Sequence, residues 1–394
     1  TIAYGGRAEC AQALKAAAQV MPDWMRRPSW DRAVILKEVA RLLRERCDEI
    51  AKTLTLEQGK PLAESKGEVL HSADEFEWFA EEGKRAYGEV IPNAKEGKRH
   101  MTLRHPVGVV GAIVPWNFPL ALMARKVAPA LAAGCTVVAK PASQTPLATA
   151  AMFRAMMDAG VPAGAANLVV VPAQEIAEEL ITNPICRKIS FTGSTPVGKE
   201  LMRRCADQVK RVGLELGGHA PFIVFPDADP QHMAQLAVAG KFRNNGQVCI
   251  APSRFYVHDK VKRAFTDAVV DATRNLKLGS GLDEGVEIGP MFEQKAMQQA
   301  IDLIDDARNA GAKVLTGGSR SELFERGYFF EPAVLNDVPA DARLLHDEPF
   351  SPVMPVLDFD NLDEVIAAAN ATPFGLAAYV FTNDVSTMWK MAEG

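Results

Sequence analysis

Three residues stand where a chain commonly turns and carry groups able to do carbonyl chemistry. Cys249 ends the run Asn244-Asn245-Gly246-Gln247-Val248-Cys249. A thiolate there could attack an electrophilic carbon, although a lone cysteine is more often inert core. Glu215 lies in Leu214-Glu215-Leu216-Gly217-Gly218, at an apolar strand end before two glycines. Burial would raise its pKa and suit it to act as a base near neutral pH, while pairing with an arginine is the alternative. Asn117 sits between two prolines in Val114-Pro115-Trp116-Asn117-Phe118-Pro119. Its amide can cap a helix or donate to an oxyanion, and spacing alone favours the cap.

Two other strand ends could hold a phosphate-bearing ligand. Ser190-Phe191-Thr192-Gly193-Ser194-Thr195-Pro196 reads as strand, glycine turn and helix start, with Ser194 or Thr195 available as the cap. A helix N-terminus beside glycine suits a pyrophosphate, but this is not G-x-G-x-x-G and a plain connecting turn is as good a reading. Thr136-Val137-Val138-Ala139-Lys140-Pro141-Ala142-Ser143 ends a strand with a lysine, either solvated or bound to ribose or phosphate. The seven histidines and six cysteines include no H-E-x-x-H and no C-x-x-C, so no metal site is expected.

These residues need elements to place them. Up to about residue 79 the pattern is helical, with breaks expected near Pro22, Pro28 and Gly59-Lys60-Pro61. The stretch 88–106 predicts a hairpin, Glu89-Val90-Ile91-Pro92 and His100-Met101-Thr102-Leu103-Arg104 flanking a polar turn, that pairs either with another subunit or with a local sheet edge. From residue 107 continuous apolar strands alternate with helices, which predicts a parallel sheet covered on both faces. A second α/β series starts near Pro221 and contains helices over 234–244, 261–276, 293–310 and 362–370. The expected domains are therefore 1–87 with 107–217, and 218–394, with 88–106 as a protruding arm.

Composition narrows the function classes. A net charge of −5 without a basic block argues against nucleic-acid binding. Scattered cysteines suit a reducing compartment. The apolar stretch 107–124 has the length of a membrane span, but Gly108, Gly111, Pro115 and Pro119 divide it into strand, turn and helix start.

Together and in order, Pro115-Trp116-Asn117-Phe118-Pro119, Lys140-Pro141, Phe191-Thr192-Gly193-Ser194, Leu214-Glu215-Leu216-Gly217-Gly218, Gly246-Gln247-Val248-Cys249 and Glu348-Pro349-Phe350 closely resemble the aldehyde dehydrogenase superfamily. The resemblance implies a Rossmann-type NAD(P)-binding domain, a second α/β catalytic domain and an oligomerisation hairpin. It implies Cys249 as nucleophile, Asn117 with the Cys249 backbone N–H as oxyanion donors, and Glu215 as the base that hydrolyses a thioester. Trp116, Asn117, Lys140, Ser143, Gly193, Ser194, Leu216 and Glu348 fall where the family contacts its cofactor, Glu348 on the nicotinamide ribose, with Phe350 packing nearby. Many NAD-preferring members carry glutamate where Ser143 stands. Ser143 would spare a 2′-phosphate that repulsion, so NADP is expected to be accepted and even preferred over NAD.

Arg125 and Arg243 match positions that succinate semialdehyde dehydrogenases use for the substrate's distal carboxylate. Succinate semialdehyde is thus the expected substrate, with glutarate or 2-oxoglutarate semialdehyde, or a silent structural member, as alternatives. A homodimer or homotetramer is expected, in the cytoplasm or, in a eukaryote, the mitochondrial matrix. Family chains continue beyond the position of Gly394 with a substrate-loop segment and an oligomerisation strand, so this chain is expected to be C-terminally incomplete.

Overall fold

The computed structural model describes residues 2–394. Two compact units emerge, one made of the described residues up to Gln58 with Ser65–Glu215, the other of Gly59–Glu64 with Leu216–Gly394. Residues 59–64 thus leave the unit to which the sequence reading gave them. The reason is local: Leu62 N–H donates to Gly281 O at 2.8 Å, and Gly59 lies against Pro290.

In the first unit, helices Arg7–Arg26, Ser29–Glu45 and Cys47–Gln58 precede the part of helix Leu62–Glu82 that starts at Ser65. The break expected at Pro22 is absent, because Pro22 sits inside the first helix near its C-terminal end. Strands β1 (Glu89–Ile91) and β2 (His100–Thr102) form an antiparallel hairpin, Val90 opposite Met101. The sheet follows: β3 (Val109–Ile113), β4 (Thr136–Lys140), β5 (Ala166–Leu168), β6 (Cys186–Thr192) and β7 (Arg211–Glu215). Their order is β5-β4-β3-β6-β7 and every pair is parallel. The chain moves outward from β3 to β4 and β5, then returns to β3's other side for β6 and β7. The C-terminal end of β3 is therefore the switch point where open α/β sheets bind ligands. β3 and β4 are buried along their whole length, which accounts for their unbroken apolar runs.

In the second unit, β8 (Ala220–Val224), β9 (Pro252–His258), β10 (Lys313–Thr316), β11 (Ala333–Asn336), β12 (Val353–Phe359) and β13 (Tyr379–Phe381) assemble in the order β10-β11-β12-β9-β8-β13. Only β10 and β11 pair antiparallel. Arg254 in β9 is almost wholly buried and donates to the carbonyls of His219, Ala368 and Ala369. Such bonds satisfy a buried guanidinium without a carboxylate and pin the loop before β8. Among the described residues, no helix is long and apolar enough to cross a membrane.

Candidate active site

The predicted residues of the first unit gather at the C-terminal edge of its sheet. Register pairs Ile113 with Lys140 and with Phe191, and Thr192 with Glu215. Trp116 and Asn117 follow β3 at the switch point. Asn117 is buried and is not the helix cap, since helix Pro119–Ala132 takes Phe118 as its N-cap with no side-chain bond. Its first-turn N–H groups, on Leu120 and Ala121, instead donate to the Glu68 carboxylate at 2.9 and 3.2 Å. A distant acid does the capping, so the cap reading of Asn117 does not hold.

Gly193 is required for space, because a Cβ would collide with the Phe191 ring. Its N–H donates to Glu215 O at 3.0 Å. Ser194 occupies the N-cap of helix Thr195–Cys205, but its hydroxyl makes no cap bond. This bare cradle and helix start fit a pyrophosphate. Lys140 is buried and its pKa is lowered by that burial, while Ser143 is exposed. Glu215 departs from expectation: it is exposed, as the last residue of edge strand β7.

In the second unit the nucleophile turn is built from left-handed residues. Asn244 (φ 48°), Asn245 (φ 57°) and Gly246 (φ 67°) follow one another. Asparagine tolerates this region better than other residues with a Cβ, which explains the Asn-Asn-Gly run. Side-chain amides brace it. Asn244 Nδ2 donates to Gln247 O and Gln247 Nε2 to Asn244 O, while Gln247 Oε1 accepts from Phe292 N–H at 3.0 Å. Asn245 Nδ2 donates to Gly289 O and Pro290 O, and Asn244 N–H donates to the Glu64 carboxylate. The outcome is a half-buried Cys249 on a rigid turn. Gly218 has no room for a Cβ, which would meet the Cys249 carbonyl, and its N–H donates to Glu348 Oε1 at 3.0 Å. The two glycines after Leu216 thus admit the nucleophile's backbone and the Glu348 carboxylate. Phe350 follows two residues later with a positive φ of 39°.

The family model described as aldehyde dehydrogenase family matches residues 1–394. The chain belongs to the aldehyde dehydrogenase family. It is 47% identical over 388 residues to the succinate-semialdehyde dehydrogenase [NADP(+)] of Escherichia coli, covering 98% of this chain and 80% of that one. It is 46% identical over 393 residues to the glutarate-semialdehyde dehydrogenase of Pseudomonas putida, covering 100% and 81%. A solved structure described as an E. coli NADP dependent enzyme superposes with a TM-score of 0.97 at 47% identity, over 98% of this chain and 80% of that one.

Two residues of this aldehyde dehydrogenase escaped the motif reading. Lys126 is buried in helix Pro119–Ala132, donates to Ser190 Oγ at 3.2 Å and lies within electrostatic reach of Glu215. Its signal was a second cation, next to Arg125, in the otherwise apolar run Leu122 to Val127. Burial pushes its pKa from 10.5 down to about 8. Because the folded value is depressed, charging Lys126 penalises the fold fully below pH 8 and progressively less as pH rises toward 10.5. Lys126→Met should therefore stabilise the enzyme at pH 7 by up to about 3 kcal/mol, with the gain vanishing above about pH 10. Urea unfolding across that range checks it, and destabilisation at pH 7 would reverse the argument.

Tyr379, on β13, donates its hydroxyl to Ile250 O at 2.8 Å, one residue beyond the nucleophile. Burial raises its pKa, the Arg243 cation opposes the rise and the Cys249 thiolate adds to it. Arg243, exposed six positions before Cys249, therefore shares the nucleophile's surroundings. Arg125 is exposed on the first unit, with Nε donating to Glu75 at 3.1 Å and Nη2 beside His71. Tyr379→Phe should cost about 1 kcal/mol of stability and lower kcat/KM roughly fivefold, checked by melting and steady-state kinetics. Wild-type kinetics would remove Tyr379 from the site.

Proposed function

We propose that this aldehyde dehydrogenase oxidises a semialdehyde with a distal carboxylate, succinate semialdehyde first, to the corresponding dicarboxylate with NADP. The observation that carries the reading is the exposed Arg243 six positions before Cys249, on the segment whose Ile250 carbonyl accepts from the Tyr379 hydroxyl at 2.8 Å. An arginine near the nucleophile favours a substrate whose far end is anionic. Glutarate semialdehyde, one methylene longer, is the second reading, supported by the 46% identity to the P. putida enzyme.

Cys249 thiolate attacks the aldehyde carbon, and the Asn117 amide with the Cys249 backbone N–H donates to the resulting oxyanion. Gly193, Ser194, Lys140, Ser143, Trp116, Leu216, Glu348 and Phe350 would hold the dinucleotide, which supplies the hydride acceptor that turns thiohemiacetal into thioester. Glu215 then takes a proton from water for hydrolysis. Arg243 and Arg125 would hold the distal carboxylate. Exposed Val90, Ile91, Met101 and Leu103 on and beside the hairpin suit pairing in a homodimer or homotetramer.

Steady-state assay of succinate semialdehyde against butanal, with both cofactors, tests this reading. The carboxylate should raise kcat/KM by about 100-fold, and Arg243→Met should erase most of that preference. Equal turnover of butanal would sink the substrate assignment. A preference for NAD above about tenfold would sink the cofactor assignment.

A further inference from the structure

Lys241 is 1% exposed, on helix Pro230–Phe242, eight positions before the nucleophile. A lysine buried so deeply needs a compensating partner, and what faces it identifies that partner. Lys241 lines a small pocket with Glu348, Gly218, Ser253 and Phe350. Burial pushes the Lys241 ammonium down from 10.5 to about 7, and the Glu348 charge is what opposes that fall. From the loop before β8, His219 also lies within its field, with Arg254 of β9 and His346 beyond. His219 cannot be the counter-ion. Burial, then the Arg254 and Lys241 cations, push its pKa down to about 3, so it is neutral, and its Nδ1 faces Ser253 Oγ at 2.7 Å. Glu348 remains.

We propose that Lys241 is a positioning residue for cofactor binding, its buried ammonium being the counter-charge that keeps Glu348 ionised and aimed at the ribose hydroxyls. The inference rests on the reading above that Glu348 takes the nicotinamide ribose. An ionised carboxylate only accepts hydrogen bonds, whereas a protonated one carries a donor and loses part of that capacity. The surroundings of Glu348 are finely opposed. Burial raises its pKa, and the Gly218 N–H and the Lys241 cation lower it. Gly217 allows the arrangement, because a Cβ there would strike the carboxylate. One backbone N–H fixes one oxygen at 3.0 Å, and Lys241 lines the same small pocket as that carboxylate. Lys241 touches no substrate in this account. It acts through Glu348.

The test compares wild type, Lys241→Met, Glu348→Gln and the double variant, with NADPH affinity read by fluorescence titration from pH 6 to 9. Lys241→Met should weaken NADPH binding about tenfold at pH 7. Its remaining affinity should fall with acidification at a higher pH than in wild type, because Glu348 without its counter-charge holds a proton longer. Glu348→Gln should weaken binding and lack that acid step. The double variant should bind no more weakly than Glu348→Gln alone, since the lysine works only through the acid. Melting of the cofactor-free proteins separates an effect on the fold from an effect on binding. If Lys241→Met lowers the melting point but leaves the NADPH affinity and its pH profile unchanged, the lysine is only structural and the inference falls. If Glu348→Gln keeps wild-type affinity, the ribose reading itself falls. If Glu348→Gln weakens binding while Lys241→Met does not, only the role of Lys241 falls. Should Lys241→Met fail to fold, the comparison of the double variant with Glu348→Gln still decides: added weakening means that Lys241 acts by some other route.

Discussion

Cys249→Ala should reduce NADPH formation from succinate semialdehyde by at least about 10⁴-fold, while leaving the fold intact. The thiol is half-buried on a turn that Asn244, Asn245 and Gln247 brace through bonds to backbone carbonyls. Removing the sulfur deletes the bond-forming atom while those amide braces of the turn remain. Glu215→Gln makes the informative contrast. If Glu215 serves only thioester hydrolysis, one equivalent of NADPH should still appear in a rapid burst while steady turnover drops by about 10²–10⁴-fold. Stopped-flow absorbance at 340 nm separates the two phases. A Cys249→Ala enzyme with undiminished turnover would remove the thiol from the chemistry, and loss of the burst in Glu215→Gln would assign Glu215 an earlier step.

What the chain disclosed before its fold was known follows from physics that is local. The parallel sheet was readable because β3 and β4 are buried on both faces and so are apolar throughout. The nucleophile turn was readable as polar and glycine-containing, but not its three left-handed residues or the amide lattice. Those depend on Phe292, Gly289 and Pro290, more than forty positions away in sequence. Strand β12 was not picked out in the sequence, and its Pro355 is unusual for a strand that lies between β11 and β9. Asn117 shows the limit most clearly. Local spacing favoured a cap, and only the fold brings Glu68 to the helix start to take that work over. Glu215 failed the other way, since an apolar flank predicts burial while a place at the end of an edge strand exposes it. Lys126 and Lys241 are cations inside helices whose significance lies in the partners that burial leaves them.

The second large effect should come from Gly246→Ala, through geometry rather than chemistry. Gly246 has φ 67°, and a Cβ there would drive into the Ser351 carbonyl and stand 3.1 Å from the Lys241 carbonyl. Neither obstacle is the yielding end of a side chain. Relief must move the turn that carries Cys249 or the backbone leading from Phe350. The expected cost is about 3 kcal/mol of stability, with kcat falling by about 100-fold for a nucleophile displaced by an ångström. Asn245 separates the two forces at work in the same turn. Asn245→Gly relieves a left-handed residue but removes the amide that bonds Gly289 O and Pro290 O, whereas Asn245→Ala removes the amide and keeps the strain. If the amide dominates, both variants should lose similar stability and activity. If backbone strain dominates, the glycine variant should approach wild type, and urea unfolding beside kcat for the pair would show which force holds the nucleophile in place.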